Sequence, residues 1–410
     1  MVPQKDSALK NLVPVELSDC EGAPAFLQSP FWGSFKARFG WTPRAFRIEW
    51  AGEEPGFCLV LCRPLGLGIS FAYVPWGPEL PESWNCQERG QGAADLAGAL
   101  RRFLPRSTAF IRFDLPWYWT ERAPAGTEPV NPAAGPAKAD PVTAPDPAET
   151  GSGAAPDPAK KDAIRPLSAP EALTPPRPFT RAAADVQPPD SVLVDLSLEE
   201  TAILTGMKPK WRYNLGLAER RNVILRSVGA SGPVREELEK FYALYGETAR
   251  RDGISIHGPE YYTALFEEAA KSNVDLRLYM ASHEGEDIAG IITLFRGREG
   301  VYLYGASASH KRNLMAPYAL QWRAMRDAKA AGCGFYDLFG IPPRADPEHP
   351  MAGLYRFKTG FGGKIIHRPG SWDYPYRPVA RTLYHAAEWT RKKMWDSKKR
   401  QNRRFPKPPQ

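Results

Sequence analysis

The spacing of apolar positions changes several times along the chain, and each change marks an element. In PAFLQSPFWGSFKARFGW, Phe31, Trp32, Phe35 and Phe39 lie about one helical turn apart and form one face. Ser29 stands where a cap is needed and Pro30 in the first turn, so a helix is predicted from Pro30. Strand-like runs follow at 45–49, 56–62 and 69–74, then a helical pattern at 93–103 and a further strand at 109–114. A similar succession returns later in the chain. Residues 191–195 read as a strand, and Ser197 with Glu200 three residues on reads as a capping box opening a helix over 197–205. Pro209 opens a basic helix, followed by a strand at 223–226 and helices at 234–251 and 261–271. LRLYMAS, DIAGIITLFRG and GVYLYGAS alternate as three successive antiparallel-like strands. A helix at 317–331, a strand at 335–339, a helix at 353–361 and a helical tail at 379–395 complete the pattern. Both halves thus run helix, meander, helix, strand, which predicts an α/β (α+β) chain built from two related units.

Composition refines the boundaries. From 121 to 189 the chain is dominated by Pro, Ala, Gly, Asp and Lys, and such a stretch buries too little to offset its ordering entropy. It is predicted to be a disordered linker between a first unit at 1–120, completed by part of 369–395, and a second at 190–368. The last residues, 396–410, are predicted to be a basic disordered tail. Residues 391–407 hold nine Lys or Arg and one Asp, a charge that attracts tRNA or an anionic membrane surface. The five cysteines are scattered without a CxxC pair, which fits reduced thiols better than a disulfide framework or a zinc site. The six histidines form no HExxH, which argues against a metal hydrolase. No run approaches the roughly 18 apolar residues that span a bilayer, and MVPQKDSALKNLVPVELSDC has no signal-like apolar core, so a cytoplasmic location is expected.

The chemistry concentrates between Leu338 and Tyr376. In FKTGFGG, Lys358 is a cation within a glycine-rich turn, able to steady a tetrahedral oxyanion. Gly360, Gly362 and Gly363 permit close backbone approach and positive φ, as a bulky acyl-bearing ligand end requires. Asp114 ends the strand AFIRFDLP, where a carboxylate facing a cleft can orient an amine, although it also suits a turn before Pro116. Tyr304, Asn313 and Pro317 are further candidates, and Phe357 is placed to pack against the ester-bearing end; Tyr304 and Phe357 equally suit a core. No Ser-His-Asp elbow or catalytic Cys context appears, so direct attack by a substrate amine is the simpler chemistry. Asp114, Asp337 and the departing oxygen are all open as the proton's destination.

LFGIPPRADPEHPMAGLYRFKTGFGG, LQSPFWGSFK, MKPKWRYNLGLAERRNV and VYLYGASASHKRNLMAPYALQW occur in the order in which the Fem family (FemABX-like) carries similar motifs. The chain resembles that family over everything but the linker and the basic tail. The resemblance implies two domains similar to the GNAT acyltransferase fold, with a peptidoglycan precursor bound between them. It implies transfer of an amino acid from aminoacyl-tRNA to a side-chain amine of the stem peptide, with no cofactor beyond the charged tRNA. By resemblance Lys36 and Arg212 match positions that hold the precursor's diphosphate, Lys358 matches the signature lysine, and Asp114 matches an acidic substrate contact. Expected partners are aminoacyl-tRNA and UDP-MurNAc-pentapeptide or a lipid-linked precursor, with peripheral contact to the inner membrane surface and a monomeric state. Two alternatives stand beside this reading. One is an acyl-CoA-dependent N-acetyltransferase, but the segment that would wrap its pyrophosphate reads SASHKRNLMAP, without glycine and with a donor lost at Pro317. The other is a non-catalytic RNA-binding protein, which would lack the usual RRM aromatics and KH loop.

Overall fold

The computed structural model describes residues 8–66, 68–120 and 174–404, with side chains of the last helix described through Thr390 and at Lys393. The expectation of a linker at 121–173 lies outside the described residues.

The first half comprises β1 (Leu9–Val15), α1 (Pro30–Ala37), β2 (Thr42–Trp50), β3 (Gly56–Gly66), β4 (Ile69–Val74), α2 (Cys86–Leu100), β5 (Thr108–Asp114), β6 (Trp119–Thr120) and β7 (Thr180–Arg181). The second comprises β8 (Asp190–Asp195), α3 (Glu200–Gly206), α4 (Pro209–Arg220), β9 (Ile224–Gly229), α5 (Val234–Asp252), α6 (Pro259–Ala269), β10 (Asp275–His283), β11 (Glu286–Arg296), β12 (Glu299–Ser307), α7 (Ala316–Ala330), β13 (Phe335–Asp337), α8 (Ala352–Thr359) and β14 (Lys364–His367). The chain ends in β15 (Ser371–Pro375) and α9 (Pro378–Arg404).

Two mixed sheets result, ordered β1-β2-β3-β4-β5-β15-β7 and β6-β14-β8-β13-β12-β11-β10-β9. Each holds one parallel pair among antiparallel neighbours, β4 with β5 and β12 with β13. A parallel pair needs a long crossover, and α2 and α7 supply it. The α/β class and the repeated plan are therefore as the hydrophobic pattern predicts. Exchange of edge strands ties the halves together: β15 returns to the first sheet beside β5, and β6 crosses to the second beside β14.

The junction combines aromatic packing with buried polar contacts. Phe35 of α1 meets Tyr261 of α6 edge-on at 4.8 Å, and Phe339 meets Trp76 at 5.6 Å. The β11–β12 turn inserts under the first half. There the Arg296 guanidinium donates to the Ala23 and Glu21 carbonyls, and the Glu299 carboxylate accepts from the Phe26 amide at 3.0 Å. Burial lifts the Glu299 carboxyl to about 7.

Three expectations are corrected. Residues 174–189 are ordered: Phe179 is buried against Phe113 and Tyr374, β7 pairs with β15, and the Gln187 amide donates to Asp114, so an aromatic anchor, strand pairing and hydrogen bonds outweigh the proline-rich composition. The capping box at Ser197 does not form, because Asp195 takes both the amide and the hydroxyl of Ser197 and α3 starts at Glu200. The tail is helical through Arg404 rather than disordered from 396.

Candidate functional site

β12 and β13 pair only over Glu299–Val301 and Phe335–Asp337. Beyond that point β12 stays with β11, while the chain after Asp337 turns away with Phe339 at φ +57°. The turn has a local cause: Asp337 accepts the Phe339 amide at 2.7 Å. A fork therefore opens at the carboxyl ends of two parallel strands, the place where open α/β sheets accept ligands.

Lys358 enters this fork from α8. Its Nζ donates to the carbonyls of Phe339 and of Gly340, the latter at 2.9 Å, and lies 5.2 Å from the centre of the Tyr302 ring. It is 5% exposed. Burial brings its ammonium down to about 7, against the opposing pull of Asp337. Two of its three donors are engaged, so one remains for a ligand oxygen. Gly305 is required beside it, because any Cβ there would collide with the Tyr302 phenol lying along the strand.

The glycines of the same motif have a different purpose from the expected one. A Cβ at Gly360 would strike the Trp211 indole, at Gly362 the Gly206 carbonyl, and at Gly363 the Leu193 carbonyl. Gly362 also has φ +83°. The turn is thus seated against the α3–α4 junction and β8, and Gly362 and Gly363 serve packing rather than ligand approach. Phe357 packs against Tyr318 and Phe361, both at 5.2 Å, and its carbonyl accepts the Trp211 Nε1 proton at 2.9 Å. It is half-buried and packs against the core. Of FKTGFGG, the lysine alone reaches the fork.

Asp114 is also corrected. It is 3% exposed and accepts hydrogen bonds from the Tyr73 hydroxyl, the Ser371 hydroxyl and the Gln187 amide. Burial lifts it to about 6 in spite of these bonds. Asp337 occupies the same place in the second half, at the end of the strand after the crossover, and accepts from the Ser191 hydroxyl of the neighbouring β8. Each aspartate therefore braces its strand to an antiparallel neighbour. Neither faces an open cleft.

A second constellation surrounds Lys36. Its Nζ lies 5.3 Å from the Trp32 ring centre, 5.7 Å from Tyr261, and 5.8 Å from Phe35 and Trp41. The Arg63 guanidinium covers the Trp41 ring at 5.2 Å, and His257 stacks on Tyr261 at 3.8 Å. Burial, with Arg63 adding, lowers the Lys36 ammonium to about 8; burial and then Lys36 lower His257. Among the described residues no carboxylate forms an ion pair with Lys36 or Arg63. Cations massed without a counter-charge between aromatic walls suit an anionic ligand.

β12 links the two constellations. An extra residue at Leu303 breaks its register with β11, so Tyr302 turns to the face of Lys358 and Tyr304 to the opposite face. Tyr304 meets Tyr262 edge-on at 5.2 Å in the aromatic wall that includes Tyr261. Arg212 is not brought to Lys36. It lies exposed on α4, donates to the Thr205 carbonyl at 3.0 Å and to that of Met207, and lines a groove with Trp322, Arg323 and Arg326. Asn313 is exposed in the turn before α7, and Pro317 sits in the first turn of that helix. Arg63, His257, Tyr261 and Tyr302 escaped sequence reasoning. The spacing of His257 and Tyr261 was one available signal; the bulge that turns Tyr302 toward Lys358 has none.

The profile of the FemAB family matches residues 178–281 and 277–389, which together make just over half of the 410 residues. A lipid II:glycine glycyltransferase of Staphylococcus saprophyticus is 29% identical over 124 residues, covering 30% of this chain and 29% of that protein. The enzyme of the same name from Staphylococcus aureus is 31% identical over 101 residues, covering 24% of each. The chain thus matches under a third of the length of these relatives. The crystal structure of FemX superposes with a TM-score of 0.68 at 16% identity, covering 92% of this chain and 100% of that one.

Proposed function

The chain belongs to the FemAB family, and from that premise we propose that it transfers an amino acid from aminoacyl-tRNA to a side-chain amine of a peptidoglycan precursor. The observation that carries the proposal is the Lys358 ammonium held at the β12–β13 fork with a donor to spare. The attacking amine nitrogen forms a bond to the ester carbonyl carbon, and the carbonyl oxygen gains negative charge. The third N–H of Lys358 donates to that oxygen. Such a donor is worth about 10²–10³ in turnover. The carbon–oxygen bond to the ribose then breaks, and the ribose oxygen takes the proton that the amine gives up. Asp114 and Asp337 are sealed by their own hydrogen bonds, which supports the leaving oxygen as that acceptor.

Lys36, Arg63 and His257 would hold the precursor's diphosphate. The names of the relatives indicate a lipid-linked acceptor for those proteins, and we extend that class to this chain. The reaction belongs in the cytoplasm, where charged tRNA is found. The test is incubation of the purified protein with charged tRNA and either soluble or lipid-linked precursor, read by mass spectrometry. An amide-linked amino acid on the stem peptide is expected. Loss of the aminoacyl ester with no amide product would overturn the proposal.

A further inference from the structure

α9 exposes large apolar side chains on the face turned away from the fold. Its inner face is held by polar and aromatic anchors together: Glu388 pairs with Arg112 at 2.9 Å, Arg381 with Asp373 at 3.5 Å, and Tyr384 packs on Phe110 at 5.2 Å. Its outer face carries three large exposed apolar side chains among small and polar ones. At about 100° per residue, Val379, Thr382, Leu383, Ala386, Trp389, Thr390 and Lys393 fall within one arc of about 120°. Val379 is 75% exposed, Leu383 66% and Trp389 55%. Of the ten exposed large hydrophobics among the described residues, three stand on this one helix face, whereas the others are scattered. The helix then continues through 391–404, whose sequence holds eight Lys or Arg and one Asp. Among the described residues no helix is long and apolar enough to cross a membrane.

We propose that α9 docks the protein on an anionic lipid surface, with Val379, Leu383 and Trp389 entering the headgroup boundary and the basic segment 391–404 meeting lipid phosphates. The exposed apolar side chains decide between the two polyanions this charge could meet. An RNA backbone would satisfy the lysines and arginines but would leave Val379 and Leu383 in water, whereas a bilayer interface covers both kinds of side chain. Lys393, 4.9 Å from the Trp389 ring, is placed to lay its stem on the same face with its charge at headgroup level. This inference rests on α9 alone and uses neither the Lys358 fork nor tRNA.

The test is sedimentation of the full chain with vesicles of phosphatidylcholine mixed with phosphatidylglycerol, against phosphatidylcholine alone, with no precursor present. Binding about 10-fold or more tighter to the anionic vesicles is expected, falling as salt rises. The Val379→Ser/Leu383→Ser/Trp389→Ser variant should bind about 10-fold more weakly, as should Arg391→Glu/Lys392→Glu/Lys393→Glu. Brominated phosphatidylglycerol should quench the tryptophan fluorescence of the unmodified protein, a readout that needs no variant. Equal binding to both vesicle types, or no quenching, would overturn the proposal. So would a serine variant that binds as well as the unmodified chain while an RNA duplex displaces the protein from the vesicles, which would give the segment to nucleic acid.

Discussion

Replacing Lys358 with methionine keeps the length of the side chain and removes its charge and donors, and two opposing stability terms follow. The fall of the ammonium from its usual 10.5 to about 7 means that burying the charged form costs about 5 kcal/mol, at about 1.4 kcal/mol per tenfold change in proton affinity. Methionine escapes that cost. It also leaves the Phe339 and Gly340 carbonyls without their donor, at about 1–3 kcal/mol each. The two terms nearly cancel at neutral pH, so Lys358→Met should fold with stability within about 2 kcal/mol of the unmodified protein. Catalysis has no such compensation: kcat should fall about 10²–10³-fold.

The pH dependence separates these effects. Because the folded-state value lies below the unfolded one, the folded protein binds fewer protons than the unfolded chain between about 7 and 10.5. The contribution of Lys358 to stability therefore rises with pH across that window, by about 2 kcal/mol between pH 7 and pH 9. Urea denaturation of both proteins at the two pH values isolates this group by difference. In the transfer assay, the unmodified enzyme should lose kcat/KM on the alkaline side as pH passes about 7, where the ammonium discharges, and the variant should lack that limb. A variant whose kcat stays within about threefold of normal would refute the oxyanion role. A stability difference that is flat between pH 7 and pH 9 would refute the buried ammonium itself.

Lys36→Met and Arg63→Met should each raise KM for the precursor about 10–100-fold with little change in kcat, and binding by the unmodified enzyme should weaken as pH rises past about 8, where Lys36 loses its charge; a KM unmoved by either change would remove the diphosphate site. Glu299 is raised from 4.5 to about 7, so its contribution to stability is full below about 4.5 and is lost as pH rises through about 7; at pH 8 Glu299→Gln should be more stable by about 2–3 kcal/mol in urea denaturation, and an equal or lower stability there would contradict the assignment. Gly362→Ala should cost about 3 kcal/mol or more, since a Cβ meets the Gly206 carbonyl on a backbone already at φ +83°. An unchanged denaturation midpoint with a raised KM would instead return that glycine to the ligand.

What the sequence revealed and what it hid divide along physical lines. The α1 helix was legible because Ser29 caps it locally, and its hydroxyl does accept the Trp32 amide at 3.4 Å. β4 was legible to the residue because it is a short apolar run between turns. β1, β14 and β15 were not, because partners far away in the chain define them rather than their own alternation. Lys358 stood out in the sequence through its glycines, yet those glycines serve packing, so its place at the fork follows from the parting strands rather than from the motif. Arg212 looked like a partner for Lys36 because charge on an aromatic helix says nothing of which groove the helix will face. Asp114 shows most clearly why a strand-end carboxylate is ambiguous. It and Asp337 close the same topological position with the same serine brace. What distinguishes the halves is the length of the parallel pairing beside each aspartate. β4 stays paired with β5 to its last residue, Val74, and Tyr73 seals that end by bonding Asp114. β12 leaves β13 after Val301 and runs six residues further, and Lys358 stands in the gap. One duplicated plan thus has a closed fork and an open one. The proposed chemistry falls to the second half because, of the two parallel pairs among the described strands, only its own parts before β12 ends.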